Sequence, residues 1–232
     1  EKGFVCVNVF YGYAQQNYPH PKQIQHVYQA LEWLIDNAER LNIDMTRLFL
    51  GGDSAGAHLA ALAGAASTNP DLAKALELSE RAAKLKISGL VLNCGLFNIY
   101  DAIEIRFPFM KNFVYAYTGK DIAELKAEKG KVPDTMSPDI YVKKDYPQSL
   151  VITAQHDPLR SGGFKFLEVL DKAGVAHEHF HATGALAVHA FAVAQILKQS
   201  KMCMEKILEF VTRINTLALR AAEADGGSRR RK

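Results

Sequence analysis

Cysteine is scarce in this chain: three residues in 232, at Cys6, Cys94 and Cys203. They are odd in number, far apart and in no metal-ligand spacing. That argues against a disulfide framework or a thiolate zinc site and fits reduced thiols in a cytoplasmic protein. Long hydrophobic runs are lacking too. The apolar stretches are of helix or strand length and are broken by charges, so no membrane span is expected. The first residues lack the basic, apolar and small-residue order of a signal peptide. Nor is there a strong excess of one charge. The formal net charge is +3, and Arg229, Arg230, Arg231 and Lys232 supply four positive charges by themselves. The rest of the chain is therefore close to neutral and lacks the basic face that nucleic-acid binding requires. A solvated terminus explains the basic run better than a nucleic-acid or nuclear-import role.

What is present is enough apolar sequence, 48% of residues, to bury one sizeable core in one domain. Gly3-Phe4-Val5-Cys6-Val7-Asn8-Val9-Phe10 is rich in β-branched and aromatic residues and predicts a buried strand. Pro19 and Pro21 then break the chain. Ile24, Val27, Tyr28, Leu31, Leu34, Ile35, Ala38 and Leu41 recur at spacings of three and four, the stripe of a helix packed on a sheet. Strands are predicted at 47–50, 87–92, 150–154 and 177–181, with helices at 55–66, at 163–173 (stopped by Gly174) and near the C-terminus, where Met204, Ile207, Leu208, Val211 and Ile214 share a face. Short apolar strands alternating with helices imply an α/β fold, a mostly parallel sheet with helices on both faces. Residues 98–147 break this rhythm and read as a small cap insertion within a domain spanning 1–220. Residues 221–232 read as a polar, basic, disordered tail.

The sharpest motif is Gly52-Asp53-Ser54-Ala55-Gly56, a G-x-S-x-G between a predicted strand and a predicted helix. A serine on such a turn projects its hydroxyl above the sheet, beside the positive end of the helix, where the Ala55 amide can stabilise an oxyanion. A serine hydroxyl needs a base, and the base needs a carboxylate to orient it. In folds that carry this turn the chain order is serine, carboxylate, histidine, each on a loop after a later strand. Asp157, just after the strand at 150–154, takes the carboxylate position. Of eight histidines, His189 follows the last strand and takes the base position. His177, His179 and His181 share one strand face by their period of two, a solvated face in preference to a metal site. His58, on the helix after Ser54, is expected to pack, and His156 precedes Asp157, in the wrong order.

These residues resemble the hormone-sensitive-lipase-like branch of the α/β-hydrolases, the esterase and acetyl-hydrolase group. The likeness includes Gly52–Gly56, Leu41-Asn42-Ile43-Asp44, the turn Asp157-Pro158-Leu159-Arg160, and His189-Ala190-Phe191. It implies an α/β-hydrolase fold and hydrolysis of small acyl esters through Ser54, His189 and Asp157, with no metal and no cofactor. The implied partner is a small-molecule ester; a homo-oligomer is left open. Phe107 to Tyr117 reads either as an acyl-pocket wall or as a packing helix. Two features depart from the family. Tyr11-Gly12-Tyr13-Ala14-Gln15-Gln16 keeps only the tyrosine and alanine of its Tyr-Arg-Leu-Ala-Pro-Glu segment. The His-Gly-Gly loop that completes its oxyanion hole is missing, so the chain is expected to be an N-terminally truncated member. A non-catalytic, ligand-binding relative is the competing expectation.

Overall fold

The computed structural model describes residues 3–130 and 134–229. Four strands form one sheet: β1 (Leu48–Asp53), β2 (Ile87–Asn93), β3 (Ser149–Ala154) and β4 (His177–Ala182). Their spatial order equals their chain order, and every pairing is parallel. Parallel neighbours need long crossovers. Here these contain α2 (Ala55–Thr68), α3 (Pro70–Ala75) and α4 (Glu80–Ala83) between β1 and β2, and α7 (Arg160–Ala173) between β3 and β4. The helix α1 (Lys22–Asn37) precedes the sheet and α8 (Lys198–Arg229) follows it. The segment between β2 and β3 holds α5 (Met110–Thr118) and α6 (Ile122–Glu128).

The alternation of the strands divides the core in two. Leu90, Leu92 and Val151 point to one face, where they meet Ile24, Tyr28, Leu31 and Leu34 of α1, the small residues of α2, and Phe166 and Leu170 of α7. Val91, Leu150 and Ile152 point the other way, against Phe210, Val211 and Ile214 of α8. Both faces of the central strands are thus covered, and all six residues of β3 are buried. The side chain of Tyr28 donates to the carbonyl of Ala63 and that of Tyr146 to the carbonyl of Ala61, so the aromatic walls also satisfy polar atoms on α2. Gly64 is where α2 comes nearest: a Cβ there would lie 2.7 Å from Leu90 Cδ1.

Ile99, Tyr100, Ala102, Val114 and Leu125, all between β2 and β3, pack together as a third cluster. Asp121 and Glu124 close a reciprocal capping box at the start of α6.

Two expectations require correction. Residues 3–10 are irregular, with Val5 and Phe10 exposed. Among the described residues no strand pairs with them, and β-branched content makes a segment fit for a ladder without supplying one. Residues 221–229 continue α8 where composition suggested a disordered tail. Ala221, Ala222, Glu223 and Ala224 are strong helix formers that extend an existing helix without a new nucleus. Residues 230–232 lie outside the described residues.

Candidate active site

The turn after β1 carries the strongest backbone signature in the chain. Ser54 has φ 55° and ψ −114°, a conformation that a residue with a Cβ adopts only when its surroundings enforce it. Gly52 explains how the turn closes. A Cβ there would meet the Gly56 carbonyl carbon at 2.3 Å, so only glycine lets the chain cross itself. Gly56 has open space at the equivalent point and is not required sterically. Ser54 is anchored by its own amide, which donates to the carbonyl of Asn93 on β2 (2.8 Å), and α2 begins at the next residue. The Ala55 amide therefore lies in the first turn of a helix of 14 residues, where N–H groups have no intrahelical acceptor and the dipole favours negative charge.

Asp157 and His189, 32 positions apart, meet here. His189 Nδ1 is 2.9 Å from Asp157 Oδ1, and His189 Nε2 is 2.9 Å from Ser54 Oγ. Asp157 follows β3, and its side chain is fully buried. Its Oδ1 also accepts from the amide of Leu159 (2.9 Å), which fixes the rotamer, while its Oδ2 is buried without a partner. Burial pulls the imidazole of His189 towards its neutral form. The hydrogen bond and charge of Asp157, helped by Asp53, outweigh this and raise its pKa above the usual 6.5. Phe107 packs edge-on over this ring, with centroids 5.0 Å apart.

Two neighbours were not singled out as site residues by sequence reasoning. Asp53, beside the serine, bonds to the Asn93 side chain. Burial pushes its carboxyl up, His189 opposes this, and Asp157 reinforces it. Cys94 lies near enough that Cys94, Asp157 and His189 offer one donor atom each within 4.8 Å, a grouping that could hold a metal. The donors fit a metal poorly as they stand. His189 Nδ1 and Asp157 Oδ1 are bonded to each other, and burial, reinforced by Asp157, pushes the Cys94 thiol far from its thiolate form.

A cavity of about 380 Å³ opens beside Ser54 and Ala55. Ile99, Phe107, Met110, Phe113 and Val114 give it an apolar wall, so the aromatic segment that read as pocket wall or packing helix does both: Val114 is buried in the cluster while Phe107 and Phe113 face the opening. His58 and Tyr117 also line the cavity. His58 Nδ1 is 2.7 Å from the Leu96 carbonyl and its Nε2 is 2.8 Å from Tyr117 Oη. Tyr117 Oη in turn is 3.0 Å from His20 Nδ1. His58 does pack, as expected, through polar atoms that its position in the sequence could not reveal. Burial, together with His58, lowers His20 to a pKa of about 4, so the network is neutral at pH 7.

The imidazoles of β4 lie apart from this centre. His179 Nε2 and His181 Nδ1 each approach Thr153 Oγ1 at 2.8 Å, and both rings flank Phe164 of α7. They lie beside a helix at the sheet surface, where His179 is exposed and His177 and His181 are partly buried. Of the Tyr11–Tyr13 segment, the Gly12 amide donates to His26 Nδ1 (3.0 Å).

The BD-FAE family model matches residues 1–161. The Mycobacterium tuberculosis carboxylesterase NlhH is 30% identical over 203 residues, covering 82% of this chain and 60% of NlhH. An arylesterase of Saccharolobus solfataricus is 29% identical over 181 residues, covering 75% of this chain and 54% of that enzyme. The chain thus spans little more than half the length of these relatives. Among solved structures, esterase B of Lactobacillus rhamnosus superposes with a TM-score of 0.77 at 22% identity, over 89% of this chain and 65% of that one. A Rhizomucor miehei esterase structure superposes at 0.66 and 26% identity, over 87% of this chain and 62% of its own.

Proposed function

The chain belongs to the BD-FAE family and has the α/β-hydrolase fold of the hormone-sensitive-lipase-like esterases, and from that premise we propose that it is a serine carboxylesterase acting on small acyl esters. The observation that carries the reading is the continuous relay from Ser54 Oγ through His189 to Asp157, with both contacts at 2.9 Å. In the proposed reaction Ser54 Oγ attacks the ester carbonyl as His189 Nε2 takes its proton. The amide of Ala55 donates to the oxyanion that forms. His189 then protonates the departing alkoxide, leaving an acyl-serine. Water, deprotonated by the same nitrogen, hydrolyses that intermediate. Asp157 stays ionised throughout, holding the imidazole in the tautomer that presents a free Nε2 to the serine.

The apolar cavity beside Ser54 supports an ester with a hydrocarbon acyl group. The substrate is a small molecule, and nothing in the chemistry calls for a metal or cofactor. No described helix is long and apolar enough to cross a membrane. Free thiols buried at Cys94 and Cys203 support a reducing, cytoplasmic setting.

A second reading, a ligand-binding protein that retains the fold without turning over esters, is favoured by one observation. The Gly12 amide, on the segment facing Ser54 across the cavity, is already bonded to His26, which leaves Ala55 as the donor assigned to the oxyanion. One missing donor typically lowers kcat by about 10²–10³. A fluorophosphonate probe and a p-nitrophenyl ester separate the readings. The esterase reading expects covalent labelling at Ser54, its loss in Ser54→Ala, and hydrolysis above the uncatalysed rate. Labelling that persists in Ser54→Ala refutes the nucleophile; a silent wild type favours the binding protein.

A further inference from the structure

Gln23, in the first turn of α1, lines the cavity beside Ser54 yet is only 4% exposed. Its Oε1 is buried with no hydrogen-bond partner. A carboxamide offers an acceptor oxygen and two N–H donors, and leaving such a group unpaired in an apolar surround is costly. The other buried polar groups of the cavity wall have spent their capacity on one another. His58 is bonded at both nitrogens, and Tyr117 Oη joins His58 to His20. Among the buried lining side chains, Gln23 is the one with bonding capacity in reserve.

Its position indicates which part of an ester it would meet. The lining includes Ser54 and Ala55, the nucleophile and the oxyanion donor of the proposed reaction. An acyl chain on the carbonyl that Ser54 attacks can therefore extend into the cavity. His58 and Leu59, which line it together with Gln23, sit about one helical turn along α2 from Ser54, roughly 6 Å. That is within the span of a medium acyl chain.

We propose that Gln23 is a specificity-determining residue that selects esters whose acyl chain ends in a hydroxyl, the chain body lying on Ile99, Met110 and Val114 and the hydroxyl donating to the Gln23 carbonyl oxygen. This deepens the esterase reading and rests on it for the turnover part of its test. A plain alkyl chain of the same length would leave the carboxamide unpaired, and a site built around a buried polar group discriminates against an analogue that lacks its partner.

The test uses matched p-nitrophenyl esters, n-acyl and ω-hydroxyacyl, at chain lengths of six and eight carbons. The readout is the ratio of kcat/KM within each pair. At one length or both, the wild type should favour the hydroxylated chain by about tenfold, the scale of one buried neutral hydrogen bond. In Gln23→Leu and in the unbranched Gln23→Met the ratio should fall to unity or below. A wild type with no preference at either length overturns the proposal without any variant. A preference that survives unchanged in folded Gln23→Leu or Gln23→Met overturns it as well. Calorimetric binding of hexanamide and 6-hydroxyhexanamide provides a second arm independent of turnover. If no ester is hydrolysed but the hydroxylated amide binds about tenfold tighter and Gln23→Met erases the difference, the esterase reading fails and this one stands. Equal binding of the two amides to the wild type counts against Gln23 alone.

Discussion

Asp157→Asn separates geometry from charge, because asparagine keeps the shape of the side chain and removes its negative charge. In the native site Asp157 acts on His189 twice, through the 2.9 Å bond to Nδ1 and through its charge. Together with Asp53 these overcome burial and hold the imidazole above its ordinary 6.5. An opposite charge at such range typically contributes about 1–3 pKa units. In the variant burial remains and the main opposing force is gone, so the histidine should titrate lower than in the wild type. A base must be neutral to accept the serine proton. The acidic limb of kcat/KM should therefore lie above 6.5 in the wild type and move towards lower pH in Asp157→Asn. The rate at the plateau should also fall, because the Leu159 amide holds the asparagine oxygen at the Oδ1 position, where it still accepts from Nδ1 but no longer brings the charge that stabilises the imidazolium formed as the serine gives up its proton. The same pairing affects stability. A raised folded-state value stabilises the folded protein fully below the unfolded value near 6.5, and the gain is lost as pH rises through the folded one. The Tm deficit of Asp157→Asn should thus be larger near pH 5.5 than near pH 8.5. Stopped-time product assays across that range, with thermal melts in parallel, measure both effects. An unshifted acidic limb with a rate within about tenfold of wild type would refute Asp157 as the orienting group and point to Asp53, the other carboxylate acting on His189.

The glycines of the turn should behave differently despite their symmetry in the motif. Gly52→Ala drives a Cβ into the Gly56 backbone at 2.3 Å, and should displace Ser54, abolish probe labelling and cost about 1–3 kcal/mol of stability. Gly56→Ala meets nothing within 4 Å, and should fold and label normally; equal damage from both would mean that the crossing at Gly52 is not what shapes the turn. Single alanine substitutions of His177, His179 and His181 should leave kcat/KM within about threefold of wild type, and EDTA should leave it unchanged. Activity lost to EDTA and restored by zinc would place essential metal chemistry on β4. Tyr28→Phe removes the bond to the Ala63 carbonyl and should cost about 1 kcal/mol in chemical denaturation; no change would mean that this buried carbonyl finds another donor.

The sequence was most legible where chain-local pattern and global fold demand the same thing. The strand at 150–154 is a continuous apolar run because β3 is covered on both faces, and the run itself carries that information. Gly52 to Gly56 could be read because its shape is local: a strand, a crossing and a helix within a few residues. Asp157 and His189 followed only from their place after the third and fourth strands, since nothing in their neighbours marks them as partners. The extended stretch at 3–10 shows the limit of this approach. Alternating valines and phenylalanines say that a segment would suit a sheet, but pairing is a property of two segments, and β1 pairs only with β2 among the described strands. Gln23 was invisible for a related reason. A polar residue near the start of a helix reads as surface until the fold buries it, and Gln23 is buried beside the cavity.

The division of labour in the fold follows from these differences. The groups proposed to react sit at sheet ends and in short loops, where hydrogen bonds such as Ser54 N to Asn93 O and Leu159 N to Asp157 Oδ1 anchor them. The cavity wall comes from helices outside the sheet: α1 brings Gln23 and α5 brings Met110 and Val114, the last of which belongs to a cluster separate from the two sheet cores. The two are coupled at few points. Phe107 touches both the cavity and the His189 ring, and the Tyr117 hydroxyl ties α5 to His58 on the helix that Ser54 begins. Substitutions along α1 and α5 should therefore change which ester is preferred while leaving the reactivity of Ser54 towards a small fluorophosphonate nearly constant. Changes at Phe107 should disturb both at once, because that ring packs on His189 and also lines the cavity.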